Sequence, residues 1–152
     1  MSKMIPSIFL LVSLLIAGCN SAPTTPTNNP PTKPYPGPVT GAPVNPVRFQ
    51  IDRPVKAGDT IVKGSGPAGV PIVIANVTMM GTILGGDVIG ADNRFSIDVP
   101  PLESSTRIGV EIGDLTGTNY VWDQFQSEQF KGSGALTVPL VGYFQDTAVV
   151  QP

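Results

Sequence analysis

Proline and glycine are the residues that most restrict the fold of this chain. They number 17 each among 152 residues. Proline fixes φ and removes a backbone donor, and glycine weakens the interior of helices and strands, so the chain favours turns and extended segments over long helices.

The chain also has no histidine and one cysteine. These counts exclude a Ser/His/Asp or Cys/His catalytic set, a His-ligated metal site and an intramolecular disulfide within the chain, and we expect neither enzymatic activity nor a cofactor.

The first nineteen residues have the pattern of a secretory signal peptide. Lys3 precedes an apolar stretch over residues 5–16, and the small residues Ala17 and Gly18 lead to Cys19. The sequence Leu15-Ile16-Ala17-Gly18-Cys19 resembles the lipobox of bacterial lipoproteins. The resemblance implies a signal peptide over residues 1–18 and a mature N-terminus at Cys19, with a diacylglycerol thioether on its sulfur and, in many members of the family, an acyl chain such as palmitate on its amine. It also implies an extracytoplasmic protein anchored by lipid in the cell envelope, at the outer membrane or the cell surface.

A plain transmembrane anchor is the alternative interpretation of this segment. Its apolar core of about fifteen residues is shorter than the roughly 20 residues needed to cross hydrocarbon. No basic cluster follows it, because the next charge after Lys3 is Lys33. We therefore favour lipid attachment at Cys19 over a membrane span.

Residues 19–46 are predicted to be a lipidated cysteine followed by a Pro/Thr-rich linker. Residues 20–46 contain nine prolines and a single charge, a composition that cannot form a packed core. We expect a disordered, extended stalk of polyproline II type, which at about 3.1 Å per residue would reach roughly 80 Å.

Residues 47–152 are predicted to form one β-sandwich domain. Apolar and polar residues alternate at positions 49–51, 95–99 and 107–112, as in strands with one buried face. Further short strands are predicted at residues 60–63, 70–77, 86–89, 120–125 and 136–141. Seven to eight short strands in about 100 residues favour an all-β antiparallel sandwich. The predicted core is Phe49, Ile51, Ile72, Ile74, Phe95, Ile97, Ile108, Val110 and Ile112.

Two stretches of this domain, residues 62–72 and residues 90–102, resemble a bacterial Ig-like domain. The first has a valine-x-glycine strand and a glycine-closed turn, and the second an aspartate turn, an aromatic residue and a proline-x-leucine corner. Residues 113–119 resemble the late loop of that family, and the match covers roughly residues 55–119. The resemblance implies an Ig-like sandwich, although residues 120–142 are longer than the usual final strand. A transthyretin-like or carboxypeptidase-regulatory-type sandwich is the alternative for the same pattern.

Three aspartates, Asp87, Asp92 and Asp114, are the candidates for a cation site. Carboxylates are ligands that calcium prefers, but their spacing does not fit an EF-hand. Asp92 and Asn93 also suit a β-turn, where such side chains bond to their own backbone. We therefore predict turn roles and no metal site. Asp146-Thr147-Ala148 is a near match to the aspartic-protease signature, but the second aspartate which that chemistry needs is missing.

Tyr120 and Trp122 are the candidate ligand-binding residues. On a strand over residues 120–125 they would share one face, which could be either a sugar-stacking platform or the interior of the sandwich. We predict the interior, with Trp122 shielded from water. Of the adjacent Met79 and Met80, we expect one to pack inward.

The domain carries all eleven acidic residues and seven of the nine basic ones. This balance argues against binding of nucleic acid or anionic lipid through a basic face, and we expect no nucleic-acid partner. The sequence favours a lipid-anchored structural or adhesive binding module, held on the membrane through Cys19 and offering a surface to a protein or polysaccharide ligand. Two alternatives are a carbohydrate- or cell-wall-binding accessory module, and a subunit of an envelope assembly in which residues 143–150 donate a strand to a partner.

Overall fold

A computed structural model describes residue 41 and residues 43–152. The predicted signal peptide, Cys19 and most of the predicted stalk lie outside these residues. The described residues form ten short strands and one turn of 3-10 helix, Trp122–Phe125. The strands are β1 Gln50–Ile51, β2 Val55–Lys56, β3 Ile61–Ser65, β4 Pro71–Asn76, β5 Thr82–Val88, β6 Arg94–Asp98, β7 Arg107–Ile112, β8 Leu136–Val138, β9 Gly142–Phe144 and β10 Asp146–Gln151.

Two sheets and a hairpin make up the fold. One sheet has the order β1-β3-β6, the other has the order β2-β10-β7-β4-β5, and β8 pairs with β9. Neighbouring strands are antiparallel except for β10 and β2, which are parallel. The predicted all-β sandwich is confirmed, with one mixed sheet and more short strands than the seven to eight that alternation indicated. The resemblance to the Ig-like family stays a prediction.

The core lies between the two sheets and is built from the alternating residues of their strands. Val62 is opposite Ile97 in the smaller sheet, and Ile74 is opposite Val110 in the larger one. All the predicted core residues are buried except Ile112, which is half-buried and packs against the others. The register predicted for β6, with Phe95 and Ile97 inward and Asp98 outward, is therefore confirmed.

A cluster of aromatic rings closes one part of the core. The ring of Phe125 contacts those of Phe49, Tyr120 and Phe130 edge to face, with centroids 5.4–5.9 Å apart. The strand predicted over residues 120–125 is wrong, because the chain here makes a 3-10 turn in which the Val121 N–H donates to Gln124 Oε1 at 2.9 Å. The turn directs Phe125 inward and leaves Trp122 at the surface.

The C-terminal segment is integral to the sandwich. β9 is paired with β8, and β10 lies between β2 and β7 in the larger sheet. Residues 143–150 are thus paired within their own chain, and their donation of a strand to a partner stays a hypothesis.

Residues before the predicted domain boundary at Val47 already contact the domain. Val44 packs against the core, and Gly41 lies against the side chain of Gln124. The chain therefore enters the domain beside the 3-10 turn.

Candidate functional site

The carboxylate of Asp146 is buried and joins three separate segments of the chain. Asp146 is fully buried at the start of β10. Its Oδ2 accepts the Ile51 N–H at 2.8 Å, and its Oδ1 accepts the Gly134 N–H at 2.7 Å. The Arg53 guanidinium donates through Nη2 to both oxygens at 2.9 Å. Because both oxygens are held by these donors, the carboxylate acts as a cross-link between the two sheets and the loop before β8.

Neighbouring polar groups extend this cross-link. Arg53 also donates to the carbonyl oxygens of Ile51 and Thr147, at 3.0 and 2.7 Å. The Thr147 hydroxyl donates to the Gly134 carbonyl at 2.8 Å and accepts from Arg107 Nη1 at 2.9 Å. The segment that nearly matches a protease signature is thus a structural junction in which buried polar groups are paired.

The three candidate cation ligands make local hydrogen bonds, and the turn role predicted for Asp87 is wrong because Asp87 lies in β5. Asp87 Oδ1 accepts the Val88 N–H, Asp92 Oδ1 accepts the Arg94 N–H, and Asp114 Oδ1 accepts the Thr116 N–H. The hydrogen bonds from Thr116 lower the pKa of Asp114. Asn93, next to Asp92, has φ 62°, the left-handed conformation expected for such a turn.

No group of three or more acidic, histidine or cysteine side chains that could hold a metal ion occurs among residues 41 and 43–152.

Tyr120 and Trp122 do not share a face. The Tyr120 hydroxyl donates to the Ala68 carbonyl at 3.0 Å, and its ring packs on Phe125 at the edge of the core. Trp122 is 40% exposed. The prediction that Trp122 is shielded within the sandwich is therefore wrong, because the 3-10 turn replaces the alternation of a strand.

Trp122 instead forms a surface aromatic pair with Tyr143 of β9. The two ring centroids are 6.4 Å apart and the rings are nearly perpendicular. Lys131 Nζ lies 5.8 Å from the Tyr143 ring centroid and also pairs with Glu128. We call Trp122, Tyr143, Lys131 and Glu128 the aromatic surface.

The charges of the aromatic surface influence one another. The hydrogen bond with Glu128 raises the pKa of Lys131, so the ammonium stays charged. Burial raises the pKa of Tyr143, although Lys131 opposes the shift, so the phenol stays protonated at neutral pH. The surface therefore offers two aromatic rings, one cation and one carboxylate, a combination that suits a neutral polar ligand with apolar faces.

Tyr143 and Lys131 were not predicted from the sequence as neighbours of Trp122. No periodic spacing connects these positions, because the 3-10 turn, the loop and the β8–β9 hairpin bring them together. The one signal in the sequence was the length of residues 120–142, which exceeds the final strand of the Ig-like pattern and so indicated a segment of different structure here.

A cleft lies beside β2 and β3. This open cleft of about 450 Å³ is lined by residues that include Asp52, Asp59 and Lys63. Asp52 is paired with Arg94, and Asp59 Oδ2 accepts the Lys56 N–H at 2.8 Å. Its carboxylates are thus engaged in local contacts.

Comparison of the chain with protein-family models, with curated proteins and with solved structures finds no match. Within the described residues, no helix has the length and apolar character needed to cross a membrane.

Proposed function

We propose that this protein is a lipid-anchored component of the bacterial cell envelope that presents a β-sandwich as a structural or adhesive binding module. The observation that carries the proposal is the sequence Leu15-Ile16-Ala17-Gly18-Cys19 at the head of a proline-rich segment that leads into a folded domain. Each buried methylene of an acyl chain adds about 0.8 kcal/mol of membrane affinity, so two or three chains on Cys19 hold the protein permanently. In this proposal the domain works outside the cytoplasm, within the reach that residues 20–41 allow.

Replacement of the acceptor thiol tests the anchoring. Cys19→Ser removes the atom that forms the thioether, and we expect the full-length variant to leave the membrane fraction. Ser21→Ala, outside the lipobox-like sequence, is the matched control and should remain with membranes. A Cys19→Ser protein that still sediments with salt-washed membranes, together with a wild type that lacks acyl mass, would contradict the proposal.

The second candidate function is carbohydrate or cell-wall binding through the aromatic surface. The exposure of Trp122 beside the half-buried Tyr143 favours it, because sugar rings stack on an indole face that is open to solvent. Tyr120 is not part of this surface, since its ring and hydroxyl are used within the domain.

Co-sedimentation with insoluble cell-wall polysaccharide tests this second candidate. Trp122→Ala should weaken binding by roughly ten-fold or more, as expected when a central aromatic contact is removed. Ile61→Ala, which removes another exposed apolar side chain, from the smaller sheet, should bind like the wild type. Equal retention of wild type, Trp122→Ala and Ile61→Ala would rule out the aromatic surface as a sugar site.

A further inference from the structure

Two hairpin turns meet at one place on the surface of the domain. The turn between β4 and β5 contains Met79, Met80 and Gly81, and the turn between β8 and β9 contains Leu140 and Val141. A Cβ atom on Gly81 would lie 2.7 Å from Cγ1 of Val141, so the two turns are in contact. They form a single protruding feature built from two parts of the chain.

This feature is apolar and exposed. Leu140 is 99% exposed, Met80 is 73% exposed and Met79 is 59% exposed. We call these three residues the apolar tip. The prediction that one of the two methionines packs inward is wrong, because both lie in the turn beyond the end of β4. Single exposed apolar residues are ordinary, but several large ones on two adjoining turns indicate a contact surface.

The backbone at the tip makes these residue types more unusual. Met80 has φ 55° and Leu140 has φ 66°, both in the left-handed region. Glycine, asparagine and aspartate adopt this conformation most readily, as Asn93 does at φ 62° in another turn of the same domain. The chain thus places large apolar side chains where turn chemistry favours small or polar ones, a form of local strain that is concentrated at functional sites.

The two hairpins also lack charge. Residues 64–86 and residues 132–145 contain no aspartate, glutamate, lysine or arginine. Two charged residues of β7 adjoin the hairpins, since the Arg107 backbone N–H donates to Thr78 Oγ1 at 2.9 Å and the Glu111 carboxylate lies next to Gly142. The tip itself can therefore enter an apolar medium without carrying a charged side chain into it.

The geometry points to the lipid bilayer as the occupant: we propose that the apolar tip inserts into the interface of the membrane to which Cys19 is attached. This inference rests on the proposed lipid anchor. Residues 20–41 number 22, and a chain of that length spans at most about 80 Å, because a fully extended residue covers no more than about 3.6 Å. A domain of this size is about 35 Å across, so the tether allows any face of the domain to reach the bilayer.

The point at which the tether enters favours the tip over other faces. Gly41, at the end of the tether, lies against Gln124 of the 3-10 turn. Trp122 of the same turn contacts Tyr143 in the β8–β9 hairpin. Leu140 of the apolar tip is three residues before Tyr143 in that hairpin. The tether thus enters beside the β8–β9 hairpin. Because an anchored domain meets its own membrane at an effective concentration of about millimolar, three apolar side chains suffice for reversible insertion.

Site-specific fluorescence on the full-length lipidated protein tests the proposal. The protein is purified from membranes and reconstituted into phosphatidylcholine/phosphatidylglycerol vesicles, with an NBD fluorophore on Leu140→Cys or, as a second reporter from the other turn, on Met80→Cys. Ala91→Cys is the control, because Ala91 is exposed in the turn at the opposite end of β5. Lipids with a nitroxide on the acyl chain should lower the emission at positions 140 and 80 by about two-fold or more and leave position 91 nearly unchanged.

Two results would overturn the insertion. One is an emission at positions 140 and 80 that has the wavelength of position 91 and is quenched no more by nitroxide lipids, which would mean that the tip stays in water. The other is a blue-shifted emission at positions 140 and 80 that the lipids do not quench, which would mean that a protein or a second copy of the chain covers the tip. Failure of the anchor itself would be recognised separately, because an unmodified Cys19 would take up the fluorophore in the wild-type chain and that chain would not stay with the vesicles.

Discussion

Removal of the buried Asp146 carboxylate is the perturbation for which the structure gives the clearest magnitude. Asp146→Ala leaves the N–H groups of Ile51 and Gly134 without their acceptor. A buried donor without a partner costs about 1–3 kcal/mol. Arg53 also loses its partner, but 36% of its side chain is exposed, so water can solvate the guanidinium.

These contributions predict that Asp146→Ala lowers the free energy of unfolding by about 3–5 kcal/mol. This is a large share of the roughly 5–15 kcal/mol that stabilises a typical domain. The assay is urea unfolding, followed by circular dichroism, of the chain produced without its first 19 residues. The midpoint should fall while the slope with urea stays unchanged.

Two variants control for the general effect of losing a carboxylate. Asp98→Ala removes an exposed carboxylate from β6 and should change the unfolding free energy by no more than about 0.5 kcal/mol. The unfolding free energy of Asp146→Asn should lie between those of the wild type and Asp146→Ala. Its amide oxygen can accept one N–H, but its amide nitrogen would face other donors. A loss below about 1 kcal/mol in Asp146→Ala would refute the cross-linking role.

Three further predictions follow from packing and burial. Phe125→Ala removes a fully buried ring that contacts three others, and should cost about 3–5 kcal/mol in the same urea assay. Gly109→Ala would bring a Cβ within 2.4 Å of Phe144 Cδ1, and overpacking of about 1–3 kcal/mol should appear as a lower urea midpoint, whereas an unchanged midpoint would show that β9 can move. Burial raises the pKa of Glu111 above its ordinary value of 4.5, because the charged carboxylate is less favourable in the folded than in the unfolded chain. The charged carboxylate therefore lowers the stability of the fold fully above the raised pKa, and this loss disappears as the pH falls below 4.5. Glu111→Gln should therefore be more stable than the wild type at about pH 7 and equal to it at about pH 4, and equal midpoints at both pH values would contradict the assigned shift.

Alternation allowed the sequence to predict the strands that have one buried face and one exposed face. Phe95 and Ile97 in β6 are an example, since one register alone buries both of them. The same reasoning failed for residues 120–125, where Tyr120, Trp122 and Gln124 alternate but a contact between Gln124 Oε1 and the Val121 N–H stabilises a 3-10 turn. Three alternating residues are too few to distinguish a strand from a turn.

The candidate site could not be predicted because its members are far apart in the sequence. Asp146 contacts Ile51 and Arg53 across more than 90 residues, and no local pattern indicates such pairing. β10 also begins with the buried Asp146, and aspartate is unusual in a central strand unless partners satisfy its carboxylate. Trp122 and Tyr143 are likewise brought together by a loop and a hairpin of irregular length.

The intact mass of the full-length protein purified from its own membranes is the decisive measurement for lipid attachment at Cys19. If the protein is lipid-anchored, the chain begins at Cys19, and the peptide that contains this residue carries a diacylglycerol group with or without an additional acyl chain. A chain that retains residues 1–18, or a Cys19 that is unmodified and reacts with thiol reagents, would contradict the account.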